Sequence, residues 1–555
     1  MPTRPRTLLA TTTVAVLSLA VLLPTSASGQ GVWSQQGADI PGAAVGDNFG
    51  IALDVSSDGT TLAIGADSND DGGADAGQVR IVGITGGAWT QSGLTLEGGG
   101  ASHYFGSAVS LSGDGTRVAI GAPFGGVSSA GLVQVWELAS GTWAQMGADI
   151  AGEGAGDRAG SSVAISGDGT TVVIGSPFND DAGTDRGEVR VFSWNTATTT
   201  WDRTGSVDLA GEANQDRLGY SVAISEDGSV IAAGARDNDG SGTAAGHVRV
   251  FGFTTATSQW DQRASDIEGE AAGDRFGTSV SLDSTGTVVA IGAPENSVGS
   301  TAVDAGHVRV LSWNAGTTTW VQQGADLEGA AGDLLGSSLS LSAAGTRLLV
   351  GAPGGAVPGV DAGYARLYGQ SSGAWGPLGT DLTGEAGDTA GSAVALSADG
   401  TTAALGLPSH DGVANNAGLA QVFRYTVTVV EGEGESAEHP GVPGIYLHVA
   451  GPVGRSVQGS PVYYGSDRVA YTSSYLLSII SSSGDTLRVM AEGSVNATGN
   501  LEAMVALPAL QPGNYDVVFT GRHLGGAGLS LSARIVVGTD GAIRAMEDNV
   551  ALMRG

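Results

Sequence analysis

Residues 143–177, WAQMGADIAGEGAGDRAGSSVAISGDGTTVVIGSP, decide the fold, because the chain repeats nearly the same sentence seven times. Trp33, Trp89, Trp143, Trp201, Trp260, Trp320 and Trp375 each open such a stretch, at intervals of 54–60 residues. An acidic loop follows, then a run close to G-x-V-R-V-F. Self-similarity at a fixed period means that one supersecondary unit is stacked many times.

Inside the unit, three short runs alternate in polarity or are apolar throughout, bounded by Gly and Asp-Gly, which marks strands. In the first unit they are Phe49–Val55, Thr61–Ala66 and Gln78–Val82. Ser57-Asp58-Gly59 is a hairpin signal, since Gly tolerates positive φ; it returns at Gly113-Asp114-Gly115, Gly167-Asp168-Gly169 and Glu226-Asp227-Gly228. The next Trp begins a fourth strand. Four short antiparallel strands per unit predict an all-β fold of propeller blades, and seven units predict seven blades. A β-solenoid is the rival, but its coils are shorter than this period. The segment Trp33–Ile40 precedes the first complete triplet, and no Trp segment follows the seventh (Ser392–Leu396, Thr402–Leu407, Leu419–Tyr425). The N-terminal strand is therefore expected to complete the last blade, with Thr426–Val430 as the alternative.

The composition bounds the partners. No Lys occurs, so all 24 basic residues are Arg; against 56 acids they leave a formal charge of −32. That sign excludes nucleic acid and anionic membrane as expected partners, because a binder of phosphates must bring positive charge. Arg4 and Arg6, the apolar run Leu8–Leu23 and the small residues Thr25-Ser26-Ala27 predict a signal peptide over 1–29. No later stretch has the roughly 18 apolar residues of a membrane span. With no Cys, the exported chain must rely on burial and sheet hydrogen bonds rather than disulfides.

Asp47-Asn48-Phe49-Gly50 and Ile120-Gly121-Ala122-Pro123 carry the two motifs that name the FG-GAP repeat, and residues 33–428 resemble that family as it occurs in secreted or surface bacterial proteins. The resemblance implies a seven-bladed propeller similar to the integrin α-subunit head, an extracellular recognition role, and calcium in blade loops. The chain departs from the integrin-type pattern. Its first two strands are joined by a bare turn such as Asp58-Gly59, with too few oxygens for Ca²⁺. The acids sit instead between the second and third strands. There Asp67, Asn69, Asp71 and Asp75 satisfy a calcium spacing, alternate positions supplying oxygen while Gly72 and Gly73 let the chain turn back. Asn179, Asp181 and Asp185 keep part of the pattern; Asp237-Asn238-Asp239-Gly240 is out of register, and the second and sixth units have almost none of it. The competing reading is that Asn-Asp-Gly simply makes a turn.

Two positions vary together between units. Asp47, Asp157, Asp216, Asp274, Asp333 and Asp388 lie two residues before the Phe-Gly position, and Arg80, Arg190, Arg249, Arg309 and Arg366 sit in the V-R-V strands. The second unit loses both, having His103 and Gln134, whereas the seventh keeps Asp388 but has Gln421. A buried Arg needs a carboxylate, so the pattern predicts a ring of structural ion pairs; otherwise both groups are solvated and the coincidence is chance.

The composition changes at Glu431-Gly432-Glu433-Gly434-Glu435-Ser436, which predicts an acidic linker over 429–444. Residues 445–540 alternate again and include Leu507-Pro508-Ala509-Leu510-Gln511-Pro512-Gly513, which resembles the turns of bacterial Ig-like modules and implies a β-sandwich. Residues 541–555 read as a mobile or weakly helical tail without a sorting motif.

No G-x-S-x-G elbow, H-E-x-x-H or phosphate loop occurs. His247 and His307 occupy equivalent repeat positions, and His410-Asp411 reads as a surface turn. No catalytic or organic-cofactor residue is assigned. The expectation is a secreted, monomeric, non-enzymatic recognition, adhesion or structural protein, free or held at the cell surface. Its propeller should be one body at 30–428, with Glu153, Asp180, Glu212, Glu268, Glu270 and Glu385 on one negative rim facing an extracellular protein or glycan surface. The alternative is an extracellular carbohydrate-active lyase or hydrolase working in the central well. Gly, Ser and Ala lining that well would favour structure; converging Tyr, Trp, His and Arg would favour catalysis.

Overall fold

A computed structural model describes residues 31–205, 208–297, 302–356, 359–371 and 373–427, together with the strands of a C-terminal unit between 444 and 545. The expected signal peptide and the linker up to residue 443 lie outside the described residues.

The unit ending at Val430 is a ring of seven antiparallel sheets with one topology. In the first blade Ala52–Val55 is innermost, followed outward by Thr61–Ala66, Gln78–Thr85 and Ala88–Gln91. A two-residue strand, Leu96–Glu97, then pairs with the start of the third strand, at Val79 and Gln78. The seventh blade is completed from the N-terminus, as the repeat order predicts: Gly31–Gln35 runs antiparallel to Val427–Phe423. The two ends of the propeller are thus held in one sheet.

The repeated motifs read as local chemistry. In the first hairpin Ser56 Oγ donates to Asp58 Oδ1 at 2.7 Å and accepts the Thr61 N–H at 2.9 Å, while Asp58 Oδ1 accepts the Thr60 N–H at 3.0 Å. The same turn is built at Asp114, Asp168, Asp227 and Asp399. Beyond it, the seven hairpins are linked into a closed circuit of backbone bonds. Ser57 donates to Gly113, Gly113 to Gly167, Gly167 to Glu226, Glu226 to Ser284, Ser284 to Ala343, Ala343 to Ala398 and Ala398 back to Ser57, at 2.8–3.0 Å. An open superhelix, or a ring of another size, would break that circuit.

Sideways contact between blades explains the two naming motifs. A Cβ on Gly65 would stand 2.0 Å from the carbonyl oxygen of Gly106, the Phe-Gly glycine of the next blade. The corresponding approach, 2.0–2.1 Å, occurs for Gly121 on Gly160, Gly175 on Gly219, Gly234 on Gly277, Gly292 on Gly336, Gly351 on Gly391 and Gly406 on Gly50. No side chain fits there. The residue before the second glycine of each pair (Phe105, Ala159, Leu218, Phe276, Leu335, Ala390 or Phe49) is at most 1% exposed and locks into the same junction. The repeat Trp adds a polar tie: Nε1 of Trp89, Trp143 and Trp201 donates to Gln36, Ser92 and Met146 carbonyls of the preceding blade at 2.7–2.9 Å.

The second unit, Glu431–Gly555, contains one three-stranded and one five-stranded antiparallel sheet. Ile543–Ala545, where the sequence predicts a mobile or helical tail, pairs with Ile535–Val537 and so satisfies an edge of the larger sheet.

The glycine contact has a measurable consequence. Gly292→Ala places a methyl 2.1 Å from the Gly336 carbonyl oxygen, so it should lower stability by about 2–4 kcal/mol in thermal or urea unfolding. Gly99→Ala, with open space around it, serves as the control and should stay within about 0.5 kcal/mol.

Candidate functional site

Three places could carry function: the loops between second and third strands, the rim they share with the segment before Phe-Gly, and the central channel.

In the first loop Asn69 is buried and its Oδ1 accepts the Asp71 N–H at 3.0 Å; Asp70 Oδ1 accepts the Asp75 N–H at 2.8 Å. The identical device folds the third loop through Asn179 and Asp180, and the fourth through Asn238 and Asp239. The Asn-Asp signature is thus first of all a turn, because both side chains satisfy backbone donors. Asp67 stands half-buried at the base of the loop, within reach of Asn48, Ser68 and Ser107, and Asp71 is exposed. Burial raises the Asp67 carboxyl above its ordinary value, Asn48, Ser68 and Ser107 oppose the rise, and the charge of Asp75 adds to it.

The loop is docked on the next unit: Ser102 donates to Ala74, Tyr104 to Asp75 and Phe105 to Ala76. The rim predicted from sequence is therefore one continuous surface. Glu153, Asp180, Glu212, Glu268, Glu270 and Glu385 are all exposed on it. Part of its charge is answered locally, since Glu153 lies 3.3 Å from Arg190 and Glu270 lies 3.6 Å from Arg309.

The expected ring of Asp–Arg pairs is wrong. Among the described residues no repeat Arg forms an ion pair with any of the six Asp. Each Asp instead closes its own loop by accepting the N–H three residues earlier: Ala44 to Asp47, Gly154 to Asp157, Ala213 to Asp216, Ala271 to Asp274, Ala330 to Asp333 and Glu385 to Asp388, at 2.6–2.9 Å. The Arg reaches sideways to a carbonyl on the short strand of the preceding blade: Arg80 to Pro41, Arg190 to Ala151, Arg249 to Ala210 and Arg309 to Glu268. Arg80 and Arg309 also lie flat over Phe49 and Phe276, at 3.7 and 4.0 Å. Arg366 alone takes a carboxylate bidentately, from Asp381 at 2.7 Å. Burial lowers Arg80 to about 10, and the charge of Asp47 partly offsets this from a distance. His410, read with Asp411 as a turn, meets Asp388 at 3.1 Å, while Asp411 caps Asn416.

The channel, with a volume of about 320 Å³, is walled by the inner strands. At the corresponding position of successive strands stand Asp54, Ser110, Ala164, Ala223, Ser281, Ser340 and Ala395. Asp54 is the residue that sequence reasoning overlooked, although it is the one acid at this position of the inner strands. Its Oδ2 accepts the Leu111 N–H of the next blade at 2.7 Å, as Ser110, Ser281 and Ser340 accept those of Ile165, Leu341 and Leu396. Burial raises it to about 6, with the bonds from Leu111, Val55 and Ser110 opposing.

With this geometry in view, residues 147–192 match the FG-GAP repeat family. No curated protein matches the chain by sequence. Among solved structures, a candidate 6-phosphogluconolactonase from Bacteroides uniformis ATCC 8492 is similar at a TM-score of 0.42 and 15% identity, over 61% of this chain and 87% of that one. We draw no functional conclusion from a likeness of that strength. The FG-GAP repeat and the propeller fit a binding or structural role.

Asp54 supplies a pH test. Its folded pKa lies above the unfolded value near 4, so ionisation works against the fold above pH 6 and the penalty fades as pH falls toward 4. Asp54→Ser, which keeps an acceptor for Leu111, should therefore stabilise the protein by about 1–2 kcal/mol at pH 8, with the gain shrinking through pH 6. Melting curves of the two proteins at pH 8, 6 and 4.5 check both the sign and the slope.

Proposed function

We propose that this is a secreted, non-enzymatic recognition or structural protein that offers the acidic rim of its propeller to an extracellular protein or glycan surface. The observation that carries the reading is the rim itself. Six exposed carboxylates stand on the short strand Ile267–Glu268 and on loops pinned to the neighbouring blade by backbone bonds, so the charge pattern is presented with little ordering cost on binding. The channel supports the same reading, because apart from Asp54, Glu226 and Asp283 its lining is Ser, Gly and apolar residues, without Tyr, Trp, His or Arg. Calcium at Asp67, Asn69, Asp71 and Asp75 belongs to this proposal on the spacing of the oxygens, and on the proximity by which Asp75 raises Asp67. An Ig-like character for residues 445–540 belongs to it as well.

A second reading, a carbohydrate-active enzyme in the channel, draws on Asp54, whose pKa near 6 suits a general acid. Sugar hydrolysis needs a second carboxylate across the bond; the other strands carry Ser or Ala at the Asp54 position, and the remaining carboxylates of the channel, Glu226 and Asp283, belong to hairpins, where Asp283 accepts the Thr287 and Val288 N–H groups.

Binding to cationic, neutral and anionic glycan-coated surfaces, at low and high salt, tests the main reading. The expected result is salt-sensitive retention on the cationic surface, weakened several-fold in Asp180→Asn/Glu385→Gln. Equal retention on all three surfaces would overturn recognition through the rim. For calcium, adding Ca²⁺ to the metal-free protein should raise the melting temperature of the wild type and leave that of Asp67→Asn/Asp75→Asn unchanged. An unaltered wild-type transition removes the metal from the proposal.

A further inference from the structure

The first residue of the third strand faces the junction with the preceding blade. Around the ring it is Gln78, Leu132, Glu188, His247, His307, Tyr364 and Leu419. The residue brought to it from the preceding blade's Gly-Glu position is Ala43, Gly99, Glu153, Glu212, Glu270, Ala330 and Glu385 in turn. Imidazole therefore occurs only at junctions where a glutamate arrives opposite.

At the first of these, His247 is fully buried, and neither ring nitrogen has a hydrogen-bond partner. Its Nδ1 points to Asp266 Oδ2 at 4.0 Å. The donor atoms of Glu212, His247 and Asp266 all lie within 4.8 Å of one another, and those of Glu270, His307 and Asp326 repeat the arrangement one blade on. His307 is 2% exposed, with its Nε2 unpartnered. A buried polar group left without a partner is costly and calls for an explanation such as an ion. In both copies Nε2 lacks a hydrogen-bond partner, in His247 Nδ1 lacks one as well, and each imidazole stands beside two carboxylates.

Neighbouring cations do not fill the role. Arg249 spends Nε and one amino group on Gln262 Oε1 and the other on the Ala210 carbonyl, leaving Asp266 and Glu212 at 3.6 and 3.9 Å. The third cluster, Glu153, Glu188 and Asp208, shows the contrast. There Arg203 replaces Gln262, and together with Arg190 it lies against all three acids. At the sixth junction Ala330 replaces the glutamate, and Tyr364 is satisfied by donating to Asp333 at 2.7 Å. At the two His junctions Gln262 and Gln322 each donate to one oxygen of Asp266 and Asp326, at 2.6 and 2.7 Å, and Arg309 lies 3.6 Å from Glu270, yet among the described residues no protein group bonds the unpartnered imidazole nitrogens.

We propose that the Glu212–His247–Asp266 and Glu270–His307–Asp326 clusters each bind one divalent first-row transition ion of the zinc class, stapling consecutive blades. One imidazole and two carboxylates form a borderline N/O set that suits Zn²⁺, Co²⁺ or Ni²⁺ better than Ca²⁺, which takes six or more oxygens. Tetrahedral ligands about 2.0–2.2 Å from one ion stand about 3.3–3.6 Å apart, so His247 and Asp266 at 4.0 Å must close by about half an ångström, and a carboxylate at 4.8 Å by a little over one, through side-chain rotation. Exposed Glu212 and Glu270 leave the fourth position open to water.

The test uses the full chain, freed of metal, titrated with Zn²⁺ by calorimetry in excess Ca²⁺, and with Co²⁺ by visible absorption. Two equivalents of Zn²⁺ are expected, with a rise in melting temperature and a d–d band for Co²⁺. Glu212→Gln and Glu270→Gln, on exposed side chains that do not threaten folding, should each remove one equivalent, and His247→Gln and His307→Gln should alter the Co²⁺ spectrum. Uptake below one equivalent, uptake displaced by Ca²⁺, or uptake unchanged in both Gln variants overturns the assignment. Because Ca²⁺ is saturating throughout, failure here leaves the Asp67 loop and the rim reading separately testable.

Discussion

The structure depends on backbone meeting backbone at the blade junctions. Where a Gly of the second strand lies under the Phe-Gly carbonyl of the next blade, two sheets approach more closely than any side chain permits. Repeated at all seven junctions, this contact sets the spacing of the blades, and the hairpin circuit then closes at seven. The buried Phe, Leu or Ala beside each glycine and the apolar clusters spanning neighbouring sheets fill what remains. Without a disulfide, the ring is held by the faces of each blade packing on its neighbours and by the N-terminus completing the last blade.

Charge is handled in the same spirit. The chain satisfies its repeat acids and its repeat arginines separately, the acids with local N–H groups and the arginines with carbonyls across the junction. A carbonyl acceptor carries no net charge, so the junction escapes the desolvation of a second ion that a buried pair would add. It also explains why the two positions vary together: both serve one junction, Asp by shaping the loop that delivers the short strand and Arg by gripping that strand. When the second unit has His103 and Gln134, both halves of that arrangement change at once.

Most of the fold was legible because it is written in periodicity: the Trp spacing, the Asp-Gly turns and the order of the strands recur with little noise. The N-terminal closure could be read from order alone. What the sequence could not yield was direction. Asp47 and Arg80 lie in one unit, and nothing in their spacing tells that Asp47 turns back on Ala44 while Arg80 crosses to Pro41. Asp54 escaped notice for a related reason. A single acid in a short alternating strand looks like a solvated residue until seven such strands converge on one axis. The His positions were visible as equivalents, but their glutamate partners follow the short strand of the preceding blade, about 35 residues away, and become neighbours only through the sideways packing.

This division separates what the repeat must keep from what it is free to vary. The second-strand glycines, the Phe-Gly position and the hairpin Ser and Asp answer to the geometry of the ring, and most units keep them. The loop between second and third strands, the residue opening the third strand and the Gly-Glu position answer to no such constraint, and they differ from blade to blade. All three variable positions emerge on one rim, because the loop is hydrogen-bonded to the segment that carries the Gly-Glu of the next unit. Whatever distinguishes one blade from another chemically is therefore gathered on a single face, at junctions whose backbone is already rigid. Blades four and five bring imidazole and carboxylate together there, blade three brings guanidinium and carboxylate, and blade six a phenol. The frame is one solution repeated, whereas the rim holds several different answers to the same buried position.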